Sequence, residues 1–256
     1  MSILENDSIL KRTDEIYNKY LELNQEGIGQ LKVSLCLDKQ NTSLYIPLWK
    51  AGSEVDIELG LVLKYKGFGS RVETEFGSST RLNYYSNITE ENDIYTIADS
   101  NMIKGYYELS TEDNKKYNPI TDKYLIKEGN VYFLCDRDGN KICYPSTDKN
   151  YPSYIESVNG NKISFTVNSD GNISEITNNR DLKVVFTYNS NKLVSDIKYY
   201  RYNTSFEEIY RIGFTYKTTT EEETINGKKQ IVTRGNITKI QRGYTSYLTR
   251  CSLNIS

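Results

Sequence analysis

Apolar positions along this chain fall at two different periods. Ile9, Leu10, Thr13, Ile16, Tyr17, Tyr20 and Leu21 recur at i, i+3 and i+4, which predicts one short amphipathic helix over about 8–24. Ser8 can cap its start and Gly27 can stop it. From about residue 30 the period changes to two. Leu31, Val33, Leu35 and Leu37 alternate with Lys32, Ser34, Cys36 and Asp38, the pattern of a half-buried strand. Val55 to Leu59 and Leu61 to Tyr65 continue it, and strand-like runs separated by Asn, Asp, Gly and Ser then follow to the end. With only 4 prolines and no low-complexity linker, the chain reads as one continuous all-β architecture after its helix.

Within that pattern the sequence repeats itself. Phe165-Thr166-Val167-Asn168-Ser169-Asp170-Gly171-Asn172-Ile173-Ser174-Glu175-Ile176 is followed by Phe186-Thr187-Tyr188-Asn189-Ser190-Asn191-Lys192-Leu193-Val194-Ser195-Asp196-Ile197. A third unit begins Phe214-Thr215-Tyr216-Lys217 and ends Gly235-Asn236-Ile237-Thr238-Lys239-Ile240. An insertion from Thr218 to Arg234 separates its halves, and Asn226-Gly227 inside it is a strong hairpin signal. Each unit is an aromatic-rich strand, a turn and a return strand. Asn168, Asp170, Gly171, Asn189, Asn191 and Gly235 are the predicted turn residues: the Asx side chains bond nearby backbone and glycine accepts positive φ. The second unit has no glycine, which predicts a different turn there. One hairpin cannot bury its own face, so stacked units extend a single antiparallel sheet, elongated or curled, with a shared core.

These phrases resemble the RHS (YD-repeat) family, whose signature is Y-D-x-x-G-R-L-x-x-I. Val167 to Ile176 follows it position by position, with Val for Tyr and Asn for Asp. Upstream, Leu59 to Tyr65 followed by Phe76-Gly77-Ser78-Ser79-Thr80-Arg81-Leu82-Asn83-Tyr84 resembles the opening of such proteins, with Ser79-Thr80 where the family has Gly-Trp. Tyr95 to Tyr107 and Asn130 to Lys141 resemble the strands that precede the first repeats. The resemblance divides the chain into a helical segment (1–29), an opening-like β region (30–160) and hairpin repeats (161–256). It implies a β-strip that spirals into a shell. In bacterial relatives such shells enclose a toxin; in animal relatives they serve adhesion. The implied partners are a further RHS-repeat chain or a toxin domain. The function expected is therefore a non-catalytic structural scaffold, with an open sheet edge at 245–256 where a further repeat would pair.

Composition narrows the chemistry. Tyr contributes 23 residues against 7 Phe and 1 Trp, suited to strands whose faces are half wet. Basic and acidic residues number 32 and 34 and are interspersed, so no stripe is present for nucleic acid. No histidine occurs at all, which removes Ser-His-Asp and Cys-His nucleophilic sites and histidine metal centres. No P-loop appears, and Gly67-Phe68-Gly69 does not complete a dinucleotide fingerprint, so no cofactor is expected. Asp136-Arg137-Asp138-Gly139-Asn140 suggests a calcium loop, but its glycine comes too early and Thr147 stands where the loop needs Glu; it reads as a hairpin turn. Cys36, Cys135, Cys143 and Cys251 make no C-x-x-C pair, and whether Cys135 faces Cys143 depends on a register the sequence leaves open.

Two other functions stay in play. Exposed members of the pairs Tyr84-Tyr85, Tyr106-Tyr107 and Tyr199-Tyr200 would offer a platform for a surface glycan, peptide or protein, with Tyr84, Tyr106 and Tyr199 as the candidates. A carboxylate pair could hydrolyse glycosides, although nothing in the sequence pairs any two acids. The start of the chain carries neither a basic nor an apolar leader segment, and no apolar run approaches a membrane span. The expectation is a cytoplasmic protein by default, or one exported by a route that reads no N-terminal signal.

Overall fold

The computed structural model describes residues 32–36, 41–50, 59–66, 73–100, 103–147, 149–225, 228–244 and 247–254. The predicted helix and most of the Val55 to Leu59 run lie outside the described residues. What is described is all β, in antiparallel sheets. A four-stranded sheet joins β1 (Lys32–Cys36), β2 (Asn41–Lys50), β3 (Gly60–Lys66) and β6 (Thr80–Leu82), and a two-stranded hairpin of β4 (Glu73–Thr74) and β5 (Gly77–Ser78) is inserted between β3 and β6. Next comes a three-stranded meander of β7 (Asn87–Glu91), β8 (Ile94–Ala98) and β9 (Lys104–Tyr107).

The rest is one eleven-stranded ladder in sequence order. It runs β10 (Tyr124–Glu128), β11 (Val131–Cys135), β12 (Lys141–Tyr144), β13 (Tyr154–Glu156), β14 (Lys162–Val167), β15 (Ile173–Asn178), β16 (Leu182–Tyr188), β17 (Val194–Tyr202), β18 (Phe206–Ile225), β19 (Lys228–Tyr244) and β20 (Tyr247–Asn254). The division at 160/161 falls between β13 and β14, two paired strands of this one ladder. β20 has β19 as its neighbour and is the outermost strand among the described residues.

The alternation read from the sequence sets the core. Ile163, Phe165, Ile173, Ile176, Val184, Phe186, Val194, Ile197, Ile212 and Phe214 all point to one face and are buried. The opening region packs onto that face: Leu48, Leu61, Leu63, Phe76 and Leu82 belong to the same cluster. A second cluster joins the meander to the start of the ladder through Ile88, Tyr95, Tyr107, Leu125, Tyr132 and Tyr144.

The three repeats share a backbone irregularity. The register shifts between Thr166 and Val167, between Thr187 and Tyr188, and between Thr215 and Tyr216, always at the position where the family signature has Tyr. In the third unit the strands do not turn back after the bulge. β18 and β19 continue as a two-stranded ribbon in which Thr218 pairs with Gly235 and Ile225 with Lys228. Two residues are left to connect it, as the Asn226-Gly227 signal requires.

Candidate functional site

The turns show how one side chain can build a repeat. Asn168 Oδ1 accepts from the amides of Asp170 (3.0 Å) and Asn172 (3.1 Å), and its own backbone closes the loop to Asn172 and Gly171. Asn189 does the same with Asn191 (2.9 Å) and Leu193 (3.1 Å). Asp136 does it again with Asp138 (3.0 Å) and Asn140 (2.9 Å), so the segment with calcium-loop looks is a hairpin turn of the repeat type. The left-handed position is Gly139, Gly171 or Lys192, at φ 94°, 81° and 60°. The second turn was expected to differ for want of glycine. It does not: Lys192 adopts the left-handed conformation itself, at about 1–2 kcal/mol for an L-residue. Its ammonium lies 2.7 Å from Asp170 of the preceding turn.

Gly235 requires a second correction. It was read as a turn residue, but the turn of its unit is opened into the ribbon, so Gly235 is a strand residue of β19. Its carbonyl takes part in a close approach instead, one that depends on Gly77 having no side chain. A Cβ built on Gly77, at φ 88°, would overlap the Gly235 carbonyl oxygen and lie 2.9 Å from its carbon. The β4–β5 hairpin thus touches the third repeat backbone to backbone.

Around that contact the hairpin is held by several distinct bonds. The Val194 amide donates to the Glu75 carbonyl (2.8 Å). The buried Arg234 guanidinium reaches Glu73 at 2.9 Å and Glu221 at 3.5 Å. Phe76 is fully buried, edge-on to Phe186 (6.5 Å) and Phe214 (5.9 Å). The Glu75 carboxylate is buried and accepts a hydrogen bond from the buried Tyr151 hydroxyl. Burial pushes the Glu75 carboxyl above its ordinary value, outweighing the Tyr151 bond and the Arg81 charge that pull it down. The same burial, with the Glu75 charge, raises Tyr151 well above the usual phenol range.

The repeat tyrosines have a defined task. Tyr188 donates to the Ile173 carbonyl and Tyr216 to the Val194 carbonyl (2.9 Å). Ile173 and Val194 are equivalent positions, so each tyrosine fastens its strand to the return strand of the unit before. Val167 holds this position in the first unit and is 40% exposed.

Of the three tyrosines proposed as a binding platform, Tyr106 is 61% exposed on β9. Tyr84 is half-buried, its ring 5.1 Å from Phe165 and its hydroxyl accepting from the Gly60 amide at 3.2 Å. Tyr199 is core: it shares a face with Ile197 and packs on Tyr210 at 5.6 Å, so in β17 it is Tyr200 that faces outward. The structure does not bring the three together on one surface. Cys135 and Cys143 are free, buried thiols. Cys135 lies opposite Lys141 and Cys143 opposite Phe133, a diagonal relation rather than a facing pair. Among the described residues no cluster of three or more Cys, Asp or Glu is placed to hold a metal ion.

No family profile matches the chain, and no curated protein does. Solved structures do. A chain of the Photorhabdus luminescens Tc holotoxin pore (mutation TccC3-D651A) aligns at TM-score 0.51 and 10% identity, over 83% of this chain and 15% of that one. The N-terminal domain of effector protein SpvB from Salmonella typhimurium strain LT2 aligns at TM-score 0.36 and 11% identity, over 83% and 98% of the two chains. A TcdB2-TccC3-Cdc42 structure gives TM-score 0.31 and 12% identity, over 87% and 12%. The first alignment shows a shared fold, and this chain spans a small part of that longer one.

Proposed function

We propose that this chain is a non-catalytic scaffold, a segment of an RHS-like β-shell whose ladder is built to be extended by further YD-like repeats or to enclose a toxin domain. The observation that carries this is the recurring socket. Each unit has the same bulge, and each of the last two fastens a tyrosine hydroxyl to a carbonyl of the unit before. The fold shared with the Tc holotoxin pore chain supports the reading.

Register states what an extension requires. Val184 lies opposite Ile176, Ile212 opposite Ile197, and Leu253 opposite Ile240. Leu253 is therefore the equivalent of Val184. A sequence continuing from it as residues 185–212 do would bring a Tyr188-type hydroxyl to the Ile237 carbonyl and a fresh strand to the edge of β20.

The experiment is to append a copy of residues 185–212 after Leu253. The scaffold reading expects one cooperative unfolding transition with a larger denaturant slope, because more surface is buried. An appended copy that stays unstructured, with the slope unchanged, sinks it.

A further inference from the structure

The β4–β5 hairpin is a small element with a large share of contacts to one partner. Its two strands pair only with each other. What ties it to the ladder is the Val194–Glu75 backbone bond, the Phe76 ring, the Gly77–Gly235 approach, the Glu73–Arg234 bridge and the buried Glu75 carboxyl. An element that pairs only with itself can open as a unit, at less free energy than the whole fold.

Glu75 sits at the centre of the joint. Among the described residues, these charged or titratable groups face it. Tyr151 comes from the segment between β12 and β13, Arg81 from β6 and Tyr85 from just after it, Tyr188 from β16 and Tyr216 from β18. Glu73 and Arg234 pair with each other at the rim. Burial lifts all four tyrosines above the ordinary phenol range, and the Glu75 charge lifts each of them further, so they stay neutral from acid to mildly alkaline pH. Between Glu75 and these four tyrosines, Glu75 is then the one that changes charge in that range.

We propose that Glu75 is a proton-binding site that closes the joint between the opening hairpin and the repeat ladder in acid and loosens it as pH rises. Opening the hairpin returns the carboxyl to water, where it ionises at its ordinary value. Docking therefore takes up a proton between the ordinary carboxylate value and the buried one: it is strongest below that window, weakens as pH rises through it, and does not change further above it. The carboxylate that remains above that point keeps the Tyr151 bond and lies near the Arg81 guanidinium, but it is still a charge held out of water.

The test is amide exchange of Val194, whose N–H donates to the hairpin, from pH 5 to 8 after correction for intrinsic rates. In the native protein its protection is expected to fall about tenfold per pH unit between the ordinary carboxylate value and the buried Glu75 midpoint, and to level off above it, as one linked proton requires. Glu75→Gln, an uncharged isostere, should give a flat profile, while Glu73→Gln at the rim keeps the slope. A flat native profile, or a slope that survives Glu75→Gln, overturns the proposal. Should Glu75→Gln fail to fold, the Glu75 carboxyl 13C shift of the native protein decides. Its midpoint must lie above the ordinary carboxylate value and coincide with the pH at which the fall in Val194 protection levels off; a midpoint at or below that value overturns it.

Discussion

Replacing Gly77 by Ala should be far more damaging than replacing Gly235 by Ala, although the two glycines touch. At Gly77 the new Cβ falls on the Gly235 carbonyl, which is backbone and cannot rotate away. The position also has φ 88°, which adds about 1–2 kcal/mol for an L-residue. To relieve the overlap the hairpin must retreat. Retreat breaks the Val194–Glu75 bond, about 0.5–1.5 kcal/mol, and draws Phe76 from its pocket, where full truncation of a buried Phe costs about 3–5 kcal/mol. At Gly235 the new Cβ meets the Leu193 methyl groups, the far end of a flexible side chain, and overpacking of that kind costs about 1–3 kcal/mol. Ala in place of Gly also returns about 0.4–1 kcal/mol by stiffening the unfolded chain. The expected losses are about 3–5 kcal/mol for Gly77→Ala and about 1–2 kcal/mol for Gly235→Ala, with Tm falling by roughly 2–4 °C per kcal/mol. Urea unfolding followed by far-UV circular dichroism measures both. Equal losses, or a Gly77→Ala loss below about 1 kcal/mol, would refute the backbone contact between hairpin and ribbon base.

Three further outcomes are expected. Tyr216→Phe removes the bond to the Val194 carbonyl and should lower stability by about 1 kcal/mol in the same urea assay, with the denaturant slope unchanged. Lys192→Gly releases the left-handed strain of about 1–2 kcal/mol but gives up an exposed ion pair and a stiffer unfolded chain, so the net change should stay within about 1 kcal/mol; a loss above about 2 kcal/mol would show that the Asp170 pair matters more than its exposure allows. Cys135 and Cys143 should remain thiols under mild oxidant by mass spectrometry, because diagonal neighbours stand about 7–8 Å apart, beyond the reach of a disulfide at about 4.4–6.8 Å. Burial raises both thiols, so their alkylation should be slow near neutral pH and speed up only above the ordinary thiol range.

Local physics was legible in the sequence, and distant contacts were not. Strand alternation over Leu61 to Tyr65 put Leu61 and Leu63 on the buried face, and the Asx turns at Asn168 and Asn189 follow from bonds between a side chain and amides at most four residues away. Tyr199 went astray because alternation says that one of two neighbours is buried, never which. Lys192 went astray because glycine is the cheapest answer to positive φ, not the sole one. The joint of Glu73, Glu75, Phe76 and Gly77 with Tyr151, Val194, Arg234 and Gly235 had no local signal. It joins segments separated by up to 161 residues, and only a fold brings them together.

The turn that builds each repeat needs little from its letters. One oxygen, carboxamide or carboxylate, gathers two amides, and the residue at the tight position can be Gly or Lys. Even the tyrosine position can hold valine, as Val167 does in the first unit. A lineage built on such a unit is free to respell it copy by copy while every bulge and every strand keeps its place. Backbone geometry of this kind can outlast its spelling, and the fold shared at 10% identity is a likeness of that geometry rather than of letters.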